Sequence, residues 1–215
     1  MKLIVVRPEY ELTTRYISAW ADEVISLAKG RGVNVIDLKK SKATREELEG
    51  RLQKLQETRL VFINGHGADN CILGQDGCIL LEENDNDGLL SGKITYALSC
   101  QSAKGLGEKV SKYSKTAYIG YADEFIFSLD SRYISKPLLD PKAKMFMEAS
   151  NQVMKSLLKG NTAEEASAKS KSTFWSNFIK LSSSAADPDS LQAMQFLRWD
   201  MMHQVCLGDK QATAS

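Results

Sequence analysis

Charge of one sign, long apolar runs and cysteine are all scarce in this chain, and each scarcity removes a class of function. Of its 215 residues, 28 are Lys or Arg and 27 are Asp or Glu, a net charge of +1. Near-neutrality leaves no electrostatic footprint for nucleic acid or an anionic membrane surface. No stretch approaches the roughly 18 uninterrupted apolar residues that a membrane helix requires. The opening Met1-Lys2-Leu3-Ile4-Val5-Val6-Arg7-Pro8 has too short an apolar run for a signal peptide and reads as a first strand. Four cysteines (Cys71, Cys78, Cys100 and Cys206) are too few and too scattered for a disulfide framework. A reducing, cytoplasmic setting is therefore expected, with no nucleic-acid or membrane partner. Internal repeats are lacking, and low complexity is confined to Ser182-Ser183-Ser184.

What is present is the ordinary material of a folded domain: 43% hydrophobic and 26% charged residues. The length predicts one domain over residues 1–208, followed by a frayed tail at 209–215. A β-rich run at residues 2–6 precedes a helical pattern at 13–29, where Tyr16, Ile17, Trp20, Val24, Ile25 and Leu27 recur on one face. Thr13 or Thr14 is its expected cap. A second strand at 33–38 and a capped helix, Thr44 with Glu47, bring the chain to a third strand at 60–64. Strand and helix alternating in this way mean parallel βαβ units.

The rhythm then breaks. Cys71-Ile72-Leu73-Gly74 and Cys78-Ile79-Leu80-Leu81 flank a Gln75-Asp76-Gly77 turn and predict a β-hairpin. A strand at 94–98, a helix at 103–113, a strand at 116–121 and a proline-bearing surface loop at 131–141 follow. Three helices are expected from Lys142 onward, the last running from Asp187 to about Cys206. Trp199 and its neighbouring methionines predict either core closure or a docking face, and His203 a structural or interface residue.

Two apolar runs end on reactive side chains. Leu60-Val61-Phe62-Ile63-Asn64 leads into Gly65-His66-Gly67, and Ile94-Thr95-Tyr96-Ala97-Leu98 leads into Ser99-Cys100-Gln101-Ser102. If both are parallel strands of one sheet, His66 and Cys100 emerge together at its carboxyl edge, where open α/β sheets place their sites. A thiol beside an imidazole is the pairing that nucleophilic acyl transfer needs. A helix starting just after Cys100 would favour the thiolate. The backbone amides of Gly67 and Cys100 are the candidate oxyanion donors.

Phe62-Ile63-Asn64-Gly65-His66-Gly67 and Ala97-Leu98-Ser99-Cys100-Gln101-Ser102-Ala103-Lys104-Gly105 resemble the two signature blocks of the caspase-like cysteine peptidases, most closely the bacterial CHAT-domain proteases. The second block departs from the usual Leu-Ser-Ala-Cys-x-Ser-Gly, lacking the Ala before Cys100 and carrying Ala103 for the Gly. Residues 120–123, 144–149 and 158–166 are similar to the final third of a CHAT domain. The resemblance spans about residues 2–180. It implies a three-layer sandwich, a mainly parallel six-stranded sheet with helices on both faces, into which the hairpin inserts. It also implies a cysteine endopeptidase in which Cys100 is the nucleophile and His66 the general acid/base that assists the leaving amine.

Relatives that cut after Arg or Lys line the first pocket with acids, so Asp123, Glu124 and Glu9 become candidate substrate-binding residues for a basic side chain, with Asp123 foremost and Arg7 standing against them. Arg132 and Lys136 are then candidate self-cleavage sites. The substrate is a protein or peptide, and control comes from a regulatory protein partner, a ligand or self-cleavage. The alternative is a catalytically silent scaffold on the same fold. No cofactor is expected. The acidic stretch Glu83 to Gly88 has Ile94 where a calcium loop needs a bidentate Glu, and Cys71, Cys78 and His66 lack zinc-ligand spacing.

Overall fold

The computed structural model describes residues 1–55, 57–182 and 188–214. The chain begins with strand β1 (Lys2–Arg7), helix α1 (Leu12–Gly30), strand β2 (Asn34–Lys39), helix α2 (Arg45–Lys54) and strand β3 (Leu60–Asn64). Three short strands follow, β4 (Gly67–Ala68), β5 (Cys71–Leu73) and β6 (Ile79–Glu82), then β7 (Ile94–Leu98), helix α3 (Leu106–Val110) and β8 (Ala117–Tyr121). Helices α4 (Pro141–Leu157), α5 (Ala163–Ser182) and α6 (Pro188–His203) lead to the last strand, β9 (Gln204–Gly208).

The main sheet has the order β2-β1-β3-β7-β8-β9. Its first five strands are parallel and β9 runs antiparallel to β8. Strands β4, β5 and β6 form a separate antiparallel sheet, which is the predicted hairpin with a short strand added. Every residue of β3, β7 and β8 is buried, as strands covered on both faces must be. On one face Leu3, Val5, Phe62 and Tyr96 pack against α1, α4 and the start of α5. On the other, Ile4, Val6, Val61 and Ile63 meet α2, α3 and the hairpin. The result is an α/β protein with a mainly parallel six-stranded sheet between two layers.

Local signals explain most of the boundaries. Thr44 accepts the Glu47 amide at the start of α2, and Thr162 with Glu165 makes the reciprocal cap that opens α5. Helix α1 departs from expectation: its cap is Glu11, whose carboxylate accepts the amides of Thr13 and Thr14 at 3.0 and 2.7 Å.

Three expectations are corrected. The helix expected over 103–113 is only Leu106–Val110, because the chain entering it is tied to the loop after β4: the Gly105 and Leu106 amides both donate to the Asp69 carbonyl at 2.9 Å. The last helix ends at His203, and Cys206 lies on β9 opposite Ile119. The tail is packed: Ala212 and Ala214 are buried, and the carbonyls of Lys210 and Ala212 accept the first amides of α5. Asp187, the expected start of the last helix, and Ser183 and Ser184 fall outside the described residues. No helix among the described residues is long and apolar enough to cross a membrane.

Candidate active site

The sheet's strand order reverses between β1 and β3, since the chain leaves β1 outward to β2 and returns to the other side. Ligand sites of open α/β sheets form at such switch points, beyond the carboxyl ends of the strands. Strands β3 and β7 are paired from Leu60 opposite Ile94 to Asn64 opposite Leu98. His66 and Cys100 each follow two residues after that last pair, so register alone brings them to the same edge. The Gly65 amide donates to the Leu98 carbonyl and extends the pairing toward the site.

Gly67 makes the close approach. A Cβ there would lie 2.5 Å from the Cys100 carbonyl oxygen and 3.3 Å from its nitrogen, so the two peptides are stacked against each other with no room for a side chain. The Cys100 amide donates to no acceptor among the described residues, and the neighbouring Gln101 amide is taken by the Asp123 carbonyl at 3.0 Å. Ser99 and Ser102, the serines flanking the thiol, are buried and bonded to each other at 2.7 Å, with Tyr118 donating to Ser102. They brace the turn after β7.

The imidazole of His66 is half-exposed. Its Nε2 is 3.2 Å from Glu11 Oε1, and its ring meets Tyr10 edge-on at 6.2 Å. No hydrogen bond joins His66 to Cys100 among the described residues. Burial pushes the Glu11 carboxyl up, but the amides and hydroxyl of Thr13 and Thr14 together with His66 hold it below the ordinary carboxylate range. Glu11 was invisible to motif reading, since its partner lies 55 positions away.

The thiol of Cys100 is half-buried, and its single polar contact among the described residues is to the Phe125 carbonyl at 4.0 Å. Burial pushes it above the ordinary thiol range; the Phe125 backbone pulls it back, while the charges of Glu124, Asp200 and Asp123 push it further up. The expected assistance from a helix dipole is absent, because α3 begins six residues after Cys100 and is five residues long. These surroundings disfavour the thiolate.

Of the expected pocket acids, Asp123 and Glu124 are brought to the thiol and Glu9 is not. The Glu9 carboxylate is taken by Ser18 at 2.7 Å, Lys39 at 3.0 Å and Lys40 at 3.4 Å. Arg7 is also withdrawn: it is buried, forked onto Asp37 at 2.7 and 2.6 Å, and held by Asp22. Arg132 is clasped by Asp130, which that guanidinium holds down to about 2, and Lys136 is exposed on the same loop.

In the acidic stretch, Asp85 pairs with Arg45 and Asp87 accepts the Tyr113 hydroxyl. Among the described residues no three His, Cys, Asp or Glu side chains converge to hold a metal ion. Trp199 and Met202 are exposed and line an apolar groove with Phe178, Leu191 and Met194. No protein-family model matches the chain, and a search of curated proteins finds no match.

Proposed function

We propose that this chain is a cysteine peptidase, and specifically a caspase-like endopeptidase of the bacterial CHAT type. One observation carries the proposal: His66 and Cys100 follow paired parallel strands in register, with Gly67 pressed onto the Cys100 peptide. In this reading Cys100 Sγ attacks the scissile carbonyl carbon and forms a C–S bond. The thiol proton passes to His66, which returns it to the departing amine as the C–N bond breaks. Water then attacks the thioester, a C–O bond replaces the C–S bond, and the thiol regains its proton. The oxyanion is held by the amides of Gly67 and Cys100.

A basic residue before the scissile bond is the matching specificity. Asp123 and Glu124 stand close enough to act on the thiol, and neither is in an ion pair among the described residues. A cationic side chain between them offsets the charges that hold the thiol protonated.

A second reading, the silent scaffold, draws on two facts. The imidazole pairs with Glu11 and not with the thiol, and the thiol lies against Phe125. Intact mass after incubation with a peptidyl acyloxymethyl ketone ending in arginine separates the two. A single adduct, lost in Cys100→Ala and slowed in His66→Ala, is expected. Labelling only by aspartate- or leucine-ended probes would keep the peptidase and remove the basic pocket. A folded chain that no probe labels would leave two states, the scaffold and a peptidase whose site is closed, which labelling after release of the Phe125 contact separates.

A further inference from the structure

Residues 122–130 leave β8 without forming helix or strand, yet all of them except Glu124 are at least partly buried. Their backbone is held chiefly from one element. The Ala122 amide donates to the His203 carbonyl at 2.8 Å, the Trp199 indole donates to the Glu124 carbonyl at 3.0 Å, and the Ile126 amide donates to Asp200 Oδ1 at 3.0 Å. All three partners lie at the end of α6. Between these ties sits the Phe125 carbonyl, against the Cys100 thiol. The Phe125 ring closes on Tyr121, with centroids 4.9 Å apart, and Phe127 packs beside it.

Asp200 is the unusual member of this set. It is wholly buried, its Oδ2 has no partner among the described residues, and Ile126 is the one donor its carboxyl satisfies. Burying a half-satisfied carboxyl is costly. An apolar residue would fill the space at less cost but would leave the Ile126 amide without an acceptor. The service that Asp200 provides is the grip on that peptide.

We infer that the end of α6 is a latch on the thiol: Asp200 and Trp199 are positioning residues that hold the Phe125 peptide over Cys100 and keep the site closed until the grip is released. The inference extends the peptidase reading and takes from it that Cys100 is the working thiol. The latch has an accessible end, because Trp199 is 38% exposed on the apolar groove while Asp200, the next residue, is buried.

The test is site-resolved alkylation of the full chain by iodoacetamide, following Cys100, Cys71 and Cys206 separately by peptide mass. In Trp199→Phe and Asp200→Ala, Cys100 alkylation should rise about tenfold, the opening that loss of one hydrogen bond allows, while Cys71 and Cys206 keep their rates. Asp200→Asn retains an acceptor for Ile126 but removes the same negative charge as Asp200→Ala, so it should accelerate Cys100 clearly less than Asp200→Ala does, the difference being the grip itself. If Asp200→Ala does not fold, Trp199→Phe decides, together with hydrogen exchange over residues 122–127, which should quicken. Equal acceleration of all three cysteines would mean general loosening and would overturn the latch, as would an unchanged Cys100 rate in Trp199→Phe. The readout is access to the thiol and not hydrolysis. A chain that shows the selective acceleration but that ketone probes label neither in the native form nor in Trp199→Phe would lose the peptidase reading and keep the latch.

Discussion

His66 Nε2 lies 3.2 Å from Glu11 Oε1, which ties the loop after β3 to the loop after β1 across the point where the strand order reverses. The same carboxylate caps α1 through the amides of Thr13 and Thr14. One side chain thus fixes a helix start and the imidazole that faces the thiol's end of the sheet. Its two roles can be separated. Glu11→Gln keeps an oxygen for the cap and removes the charge beside the ring, so stability should move by less than about 1 kcal/mol. Ketone labelling of Cys100 should slow about tenfold or more, as a misoriented proton-transfer group does. Glu11→Ala should lose the cap as well and cost about 1 kcal/mol in urea unfolding. Native labelling in Glu11→Gln would reduce Glu11 to a cap.

Gly67→Ala tests the contact on which the site's assembly depends. The added Cβ meets the Cys100 carbonyl oxygen at 2.5 Å and Ser99 Cβ at 3.0 Å, and backbone cannot swing aside as a flexible side chain can. The strand ends must part. A cost of about 1–3 kcal/mol is expected from overpacking, read from the urea midpoint. Cys100 labelling should fall far more than that loss explains, since Gly67 and Cys100 supply the oxyanion amides in the proposed reaction. Labelling that survives with the stability loss would confine Gly67 to packing.

What could be read from the sequence was what neighbouring residues decide. The apolar runs at 60–64 and 94–98 are strands because each is short, β-rich and bounded by turn residues, and Thr44 and Thr162 announce helix starts by their own spacing to Glu47 and Glu165. The edge shared by His66 and Cys100 followed from parallel pairing. What escaped was settled between distant segments. Val205, Cys206 and Leu207 continue the apolar pattern of α6, and only the open edge of β8 turns them into a strand. Glu11 and Asp200 look like ordinary surface acids until β1 and the 122–130 segment deliver their partners. Glu9 failed as a pocket acid for the opposite reason: Lys39 and Lys40, at the end of β2, had already claimed it.

The packed tail gives a stability prediction. Residues 209–214 place Ala212 and Ala214 in the core and supply the carbonyls that accept the Ala163 and Glu164 amides at the start of α5. Ending the chain after Gly208 exposes those amides and uncovers the apolar surface beneath the two alanines. A loss of about 2 kcal/mol is expected from the cap and the burial together. Thermal unfolding of the shortened chain should show a lower midpoint, and restoring residues 209–214 should recover it. An unchanged midpoint would return the tail to the frayed segment that its composition suggested.

The thiol's surroundings set the direction of a pH dependence. Burial and the charges of Glu124, Asp200 and Asp123 hold Cys100 above the ordinary thiol range, against the pull of the Phe125 backbone. Iodoacetamide alkylation of Cys100 should therefore inflect above the value of about 8.5 typical of a free thiol. Removing nearby negative charge should lower it, so Asp123→Asn and Glu124→Gln are each expected to shift the inflection to lower pH and to speed alkylation at neutrality. The same shift acts on stability. A group whose pKa is higher folded than unfolded binds its proton more tightly in the native state, so its contribution is complete below the unfolded value. That contribution is lost as pH rises from about 8.5 through the folded value. Unfolding free energy measured between pH 7 and 10 should decline less in Cys100→Ala than in the native chain. A decline of equal slope in both, or an inflection below 8.5 in the native chain, would mean that the thiol is already primed and that the acids beside it act on something else.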